Sequence, residues 1–427
     1  MKKILLLLVF SFSFLVSHAQ TYKRSGVVRS YRTCMKEKNF TQARQVLIDA
    51  MRQHPEAAAD AQLYRYKIDA LTELIGAENR KIYLNSKPDT VSFFNYMYEL
   101  YTTGLQCDSA EQQILAMRQS EGKKAVPKLR GGVGQTLLPY RKNLLNAGKY
   151  YYKKKSYADA FRFFDMYIKT KSAPFFIDAK GNSILSDPDD LVDVSVLSAL
   201  SAYGSSNYPE VMVYLPESLK DENLRPQLLE IGAKTAVELT DTAQMVQFLE
   251  QGFQAYPLVE YFFVTLVKYY NDHGQYEKAL EKVQRMTSLN PQQRDYWYMA
   301  GTELVMLNRY NDALQSFQQC VGIKADDAEA WASIGSIYLY QAHVAYENFN
   351  LPLFDPSYTK QKSTITQFYR QACDAFEQSR KFDEANTTLW LEGLRETYFK
   401  LNRGKALRAL EKYKWFLKRN FFWKNLS

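Results

Sequence analysis

Histidine is scarce in this chain: four residues in 427, of which only His54, His273 and His343 lie beyond residue 19. None of the three has the spacing of helical metal ligands, and the chain holds no H-E-x-x-H, G-x-S-x-G or C-x-x-C motif. That excludes zinc proteases, nucleophile-elbow hydrolases and dithiol redox enzymes. Gly131-Gly-Val-Gly-Gln-Thr136 lacks the Gly-Lys-Ser/Thr ending of a phosphate loop, so it reads as a linker. Asp187, Asp189 and Asp190 lack both the spacing of an EF-hand loop and its closing Glu. No catalytic, metal or cofactor residue is therefore expected. Cysteine is equally sparse. Cys34, Cys107, Cys320 and Cys373 are too far apart for a zinc site or a small disulfide scaffold. Three full disulfide pairings, or buried thiols, remain open. Beyond residue 16 no apolar run nears the roughly 18 residues of a membrane span.

The one apolar run is at the start. Lys2 and Lys3 precede Ile4 to Val16, and Ser17-His18-Ala19 supplies small residues for a peptidase. The pattern predicts a signal peptide over 1–19 and export to the periplasm or envelope, with no lipoprotein cysteine after the run. The formal charge of +9 becomes +7 without those two lysines, and the excess is dispersed. Nucleic acid is a poor fit, since no recognition motif accompanies the charge. An acidic protein segment or an anionic envelope surface suits it better.

A 34-residue beat is what the chain does have. Tyr296-Trp-Tyr-Met-Ala-Gly301 returns as Ala330-Trp-Ala-Ser-Ile-Gly335, and Tyr276-Glu-Lys-Ala279-Leu-Glu-Lys-Val283 as Tyr310-Asn-Asp-Ala313-Leu-Gln-Ser-Phe317. Glycine and alanine at these positions let helices approach, Trp297 and Phe317 fill the space beside them, and Pro291 ends a helix. With Pro291 as position 32 the units are 260–293, 294–327 and one opening at 328. These positions resemble the tetratricopeptide repeat (TPR) family, whose pattern of large aromatic, Leu-Gly, Tyr, Ala, Phe, Ala and Pro is written on two antiparallel helices. The resemblance implies an all-α fold, a right-handed superhelical solenoid of helix-turn-helix repeats.

The register extends back through 226–259 and 192–225 to 141–174, with Leu144, Ala147, Gly148, Tyr157, Ala160 and Phe164. A unit at 24–57 carries Ala43 and Pro55, within an N-terminal helical region 20–119. The basic, glycine-containing stretch 120–140 reads as a flexible linker to the array at 141–420. Two insertions interrupt that array, a loop at 175–191 and about 25 residues around 341–365; Trp390, Ala406 and Leu410 then restore the beat in 387–420. The tail is 421–427.

In TPR proteins the first helix of each repeat lines a concave face, so the resemblance places positions 2, 5, 9 and 12 in a groove. Position 9 is Lys149, Lys234, Lys268 and, in the last unit, Arg395; Tyr152, Asn271, Tyr298, Thr302 and Tyr398 are neighbouring candidates. A basic, tyrosine-bearing groove suits an acidic peptide or a terminal carboxylate. The expectation is a non-enzymatic scaffold of the bacterial envelope that binds a protein or peptide. The alternative is glycan capture, with some of the 32 tyrosines stacking on sugar rings. The aromatic-basic segment Lys412-Tyr-Lys-Trp-Phe-Leu-Lys-Arg419 is read as a capping helix, with membrane contact as its alternative.

Overall fold

The computed structural model describes residues 22–178, 180–185 and 191–412. The leader 1–19, Asp187, Asp189, Asp190 and the aromatic-basic end beyond 412 lie outside the described residues. No strand occurs among them; a single bridge joins Ile177 to Ser183. No helix among them is long and apolar enough to cross a membrane. Two compact units, Met1–Met245 and Val246–Ser427, divide the chain. The division falls inside a helix of the repeat array and not at the expected linker.

The first unit begins with α1 (Arg24–Lys36) and α2 (Phe40–Gln53), followed by two longer helices, α3 (Ala61–Tyr83) and α4 (Thr90–Ser120). After α5 (Arg130–Leu137) come the pairs α6 (Arg141–Lys153) with α7 (Tyr157–Lys169) and α8 (Leu191–Gly204) with α9 (Tyr208–Ser218), then α10 (Arg225–Glu238). The helix α11 (Thr242–Ala255) carries the division. The second unit holds α12 (Glu260–Asp272) with α13 (Tyr276–Leu289), and α14 (Arg294–Met306) with α15 (Tyr310–Ile323). The pair α16 (Ala328–Glu347) with α17 (Tyr358–Phe382) follows, then α18 (Leu391–Lys400) and a helix from 404.

One turn joins the helices of nearly every pair. Lys38, Lys155, Ser206, Thr240, Gly274, Asn308 and Asn402 all have φ between 56° and 66°, four of them 34 residues apart in succession. At each, the next amide donates to the carbonyl five residues back, at 2.8 to 3.0 Å, as Gln275 does to Tyr270 and Arg309 to Leu304. This is the Schellman ending, which satisfies the last carbonyls of one helix and aims the chain into the next. The first helix then packs on the second through a small-to-aromatic contact. A methyl group on Gly301 would sit 2.7 Å from the Phe317 ring, and Phe376 fits between Gly335 and Gly393, where added methyls would sit 2.9 and 2.3 Å from it. Only glycine permits that approach.

The stretch expected as a flexible linker is structured from 128 onward, which corrects the sequence reading. The Glu111 carboxylate, buried on α4, accepts from the backbone amides of Lys128, Leu129 and Arg130 at 2.6, 2.8 and 3.1 Å. A carboxylate at a helix N-terminus satisfies orphan donors and complements the helix dipole. Arg130 adds an ion pair to Asp108 at 2.7 Å, and Val133 and Leu137 of α5 are buried in the first unit's core. The 175–191 insertion likewise begins inside that core, with Phe175 and Phe176 both buried.

The later insertion lengthens a helix pair. It extends α16 to 20 residues and α17 to 25, with Ala342, Ile365 and Tyr369 buried between them. The tip, 348–357, leaves Phe354 88% exposed. Cys107, Cys320 and Cys373 are buried free thiols and Cys34 is a half-buried one. Burial pushes the thiols of Cys107 and Cys320 up to about 12.

Candidate functional site

A cavity of about 540 Å³ opens in the second unit on the face formed by the first helices of successive repeats. Tyr298, Thr302 and Val305 of α14 form one wall, and Glu329, Ser333, Ser336 and Tyr340 of α16 the other. Spacings of three and four residues put each set on one helix face. Tyr310 and Phe317 of α15 line it too, and Thr388 and Leu389 add further lining before α18. In the register these wall residues are positions 5, 9 and 12 of one unit and 2, 6, 9 and 13 of the next.

The serine and threonine hydroxyls of this cavity donate to their own helices. Thr302 donates to the Tyr298 carbonyl at 3.0 Å, Ser333 to that of Glu329 at 3.0 Å and Ser336 to that of Ala332 at 2.9 Å. A hydroxyl has a single proton, so each is left with lone pairs to present. Tyr310 and Tyr340 lie ring against ring, centroids 4.4 Å apart and tilted by 36°. At the mouth, the Arg294 guanidinium lies 4.4 Å over the Tyr298 ring and reaches Glu329 at 3.0 Å. It is clamped by buried Asp327, whose Oδ1 it meets at 2.7 Å. Burial opposes the charge on both partners. Their mutual hydrogen bonds still hold the Asp327 carboxyl below its usual range and the guanidinium firmly protonated.

Of the expected groove residues, Tyr298 and Thr302 line this cavity. The cations at position 9 do not gather there. Lys149 is exposed on α6 of the first unit. Lys234 pairs with Glu230 at 2.5 Å, Lys268 with Asp272 at 2.8 Å and Arg395 with Glu392 at 2.8 Å, each within one turn of its own helix. Arg395 borders a separate cavity with Glu396 and Lys400. Tyr152 is half-buried against Tyr157, ring centroids 5.6 Å apart. Asn271 faces inward, donating to buried Glu303 at 2.7 Å; burial pushes that carboxyl's pKa up.

Tyr398 must be removed from the groove. It is buried in the core around Trp390 and donates to Glu377 at 3.1 Å; burial and that carboxylate push its pKa up to about 12. The residues sequence reasoning missed are Tyr310, Glu329, Ser333, Ser336 and Tyr340. Glu329 and Ser336 stand at positions 2 and 9 of the unit from 328, so the same register count would have found them.

The 34-residue spacing of left-handed turns, the helix pair in each period and the small-to-aromatic contacts define the fold class: an all-α solenoid of tetratricopeptide-type helix-turn-helix repeats. No family model matches it. The formate-dependent nitrite reductase complex subunit NrfG of Escherichia coli O157:H7 is 25% identical over 103 residues, which are 24% of this chain and 52% of that protein. The chain thus spans about half the length of the curated relative it matches. Among solved structures, MamA is similar with a TM-score of 0.32 at 16% identity, over 44% of this chain and 96% of that one. The C-terminal part of a TPR repeat-containing protein from Cytophaga hutchinsonii gives 0.36 at 12% identity, over 62% and 92%. YrrB, described as a TPR protein with an unusual peptide-binding site, gives 0.31 at 14% identity, over 47% and 89%.

Proposed function

We propose that this chain is a non-enzymatic scaffold that binds an extended segment of a partner protein in the groove between α14 and α16. One observation carries the reading. Successive first helices leave uncovered a concave surface of aromatic faces and hydrogen-bond acceptors. Such surfaces suit a peptide backbone and its side chains, with aromatic area for contact and polar groups for orientation. The expected preference for acidic ligands rests on lysines that carry their own acidic neighbours, so it has little support in the second unit.

Ser336→Trp tests the site. The position is exposed, and an indole there would occupy the cavity without disturbing the core. Retention of random-sequence peptides by the immobilised protein is expected to fall at least tenfold while the thermal melt stays unchanged. Equal retention by both proteins would sink the groove reading. Retention of oligosaccharides in place of peptides would put glycan capture ahead.

We also propose export to the envelope, on the charged and apolar pattern of 1–19. Expressed in a Gram-negative host, the full chain is expected to yield a periplasmic protein beginning at Gln20 by intact mass. A cytoplasmic product still carrying Met1 would end that proposal.

A further inference from the structure

We propose that the groove between α14 and α16 selects a cationic side chain, lysine or arginine, in the segment it binds. The inference rests on the peptide-groove reading and adds the ligand's chemical class.

Charge comes first. Glu329 is the one carboxylate among the lining residues, and no lysine, arginine or histidine accompanies it. Arg294 cannot supply the missing positive charge to a ligand, because it is already committed. Three carboxylates engage its guanidinium: Asp327, Asp295 at 3.2 Å and Glu329 at 3.0 Å. Even with Lys324, whose charge is felt at Asp327, the cluster keeps a net negative charge. An acidic side chain entering here would meet like charge, whereas an ammonium or guanidinium would complete the balance.

Hydrogen-bond polarity points the same way. The protons of Thr302, Ser333 and Ser336 are spent on their own helix, so these hydroxyls and Glu329 offer acceptors. Donor-rich groups such as lysine and arginine side chains match these acceptors. The aromatic surface adds a third element. The paired rings of Tyr310 and Tyr340 border the cavity with part of their area uncovered, and a cation over a tyrosine face is attracted by its quadrupole. Beside this cavity the pairing is already present, with Arg294 over Tyr298.

The test uses labelled peptide pools, each with one fixed residue in a degenerate flank, titrated by fluorescence anisotropy. Pools fixed as Lys or Arg are expected to bind about tenfold tighter than the Glu pool, the scale of one charge-assisted contact. Glu329→Gln should collapse that ratio towards one without lowering the thermal melt. Tyr340→Ala should weaken the Lys and Arg pools roughly threefold. A Glu pool that binds as well as Lys, or a ratio untouched by Glu329→Gln, would overturn the cation assignment. In that outcome, binding that Ser336→Trp abolishes would still support the groove. If no pool binds the unaltered protein, the groove reading falls as well.

Discussion

Replacing Trp390 with alanine is expected to destabilise the second unit by about 3–5 kcal/mol, the range for truncating a buried aromatic side chain. The indole is fully buried, among Ala372, Cys373, Phe376, Leu394, Tyr398 and Leu410. Its Nε1 donates to the Asp383 carbonyl at 3.0 Å, and the Arg380 guanidinium lies 5.1 Å over its ring. Truncation therefore opens a cavity and also strips a partner from a backbone carbonyl. In a repeat array each unit leans on its neighbours alone, so the loss should start locally. Hydrogen exchange is expected to accelerate first across 383–412, with α12 and α13 holding their protection. Trp390→Phe keeps the packing and loses the hydrogen bond, so it should cost about 1–2 kcal/mol. A denaturation midpoint for Trp390→Ala equivalent to less than about 1 kcal/mol of loss would contradict the packing argument.

Trp390 also illustrates what the sequence made legible. Position 4 is Trp in three units, and all three indoles donate to a carbonyl just upstream: Trp297 to Pro291, Trp331 to Ala325 and Trp390 to Asp383. Tryptophan with glycine four residues on is a costly pair to place by chance, so its recurrence betrayed the helix pairs. The turns joining those pairs were almost invisible. Of the seven left-handed residues at these turns only Gly274 is glycine; the rest are lysine, serine, threonine or asparagine. A β-branched residue such as Thr240 has no intrinsic liking for that region, and packing of the two helices holds it there.

Two misreadings share another cause, namely partners distant or overlooked in the chain. The 120–140 stretch has a linker's composition, and nothing within it reveals that Glu111 will cap its backbone. Contacts of this kind are set by the fold. For the basic groove the overlooked partners lie close by. Glu230, Asp272 and Glu392 stand three or four residues from the cations they neutralise, a spacing at which helical side chains meet. Counting charges along each helix would have shown three of the four position-9 cations, Lys234, Lys268 and Arg395, to be locally paired. It would also have turned attention to position 2 of the unit at 328, where Glu329 meets the groove.

Asp327→Ala is expected to cost about 3–5 kcal/mol, the scale for breaking a buried ion pair from one side. Asp327 is 3% exposed and does two things at once. Its Oδ1 accepts from the Ala330 amide at 3.1 Å, capping α16, and both carboxylate oxygens take the Arg294 guanidinium. Alanine leaves that cation half-buried with only Asp295 and Glu329 beside it and removes the cap, itself worth about 1 kcal/mol. The pH dependence follows from the depressed pKa of Asp327. A carboxyl whose folded pKa lies below its unfolded value contributes stability that is complete above the unfolded value, about 3.9, and lost as pH falls through the folded one. Denaturation midpoints of the unaltered protein should therefore decline below about pH 4, on a slope that Asp327→Asn lacks. Asparagine retains the cap but not the charge, so its neutral-pH stability should fall between those of the other two proteins. Parallel acid slopes for the unaltered and Asn proteins would show that the pair contributes nothing. Because Arg294 also meets Tyr298 and Glu329, peptide retention should drop with Asp327→Ala even where the unit remains folded. The clamp that starts α16 is thus expected to set the mouth of the groove as well.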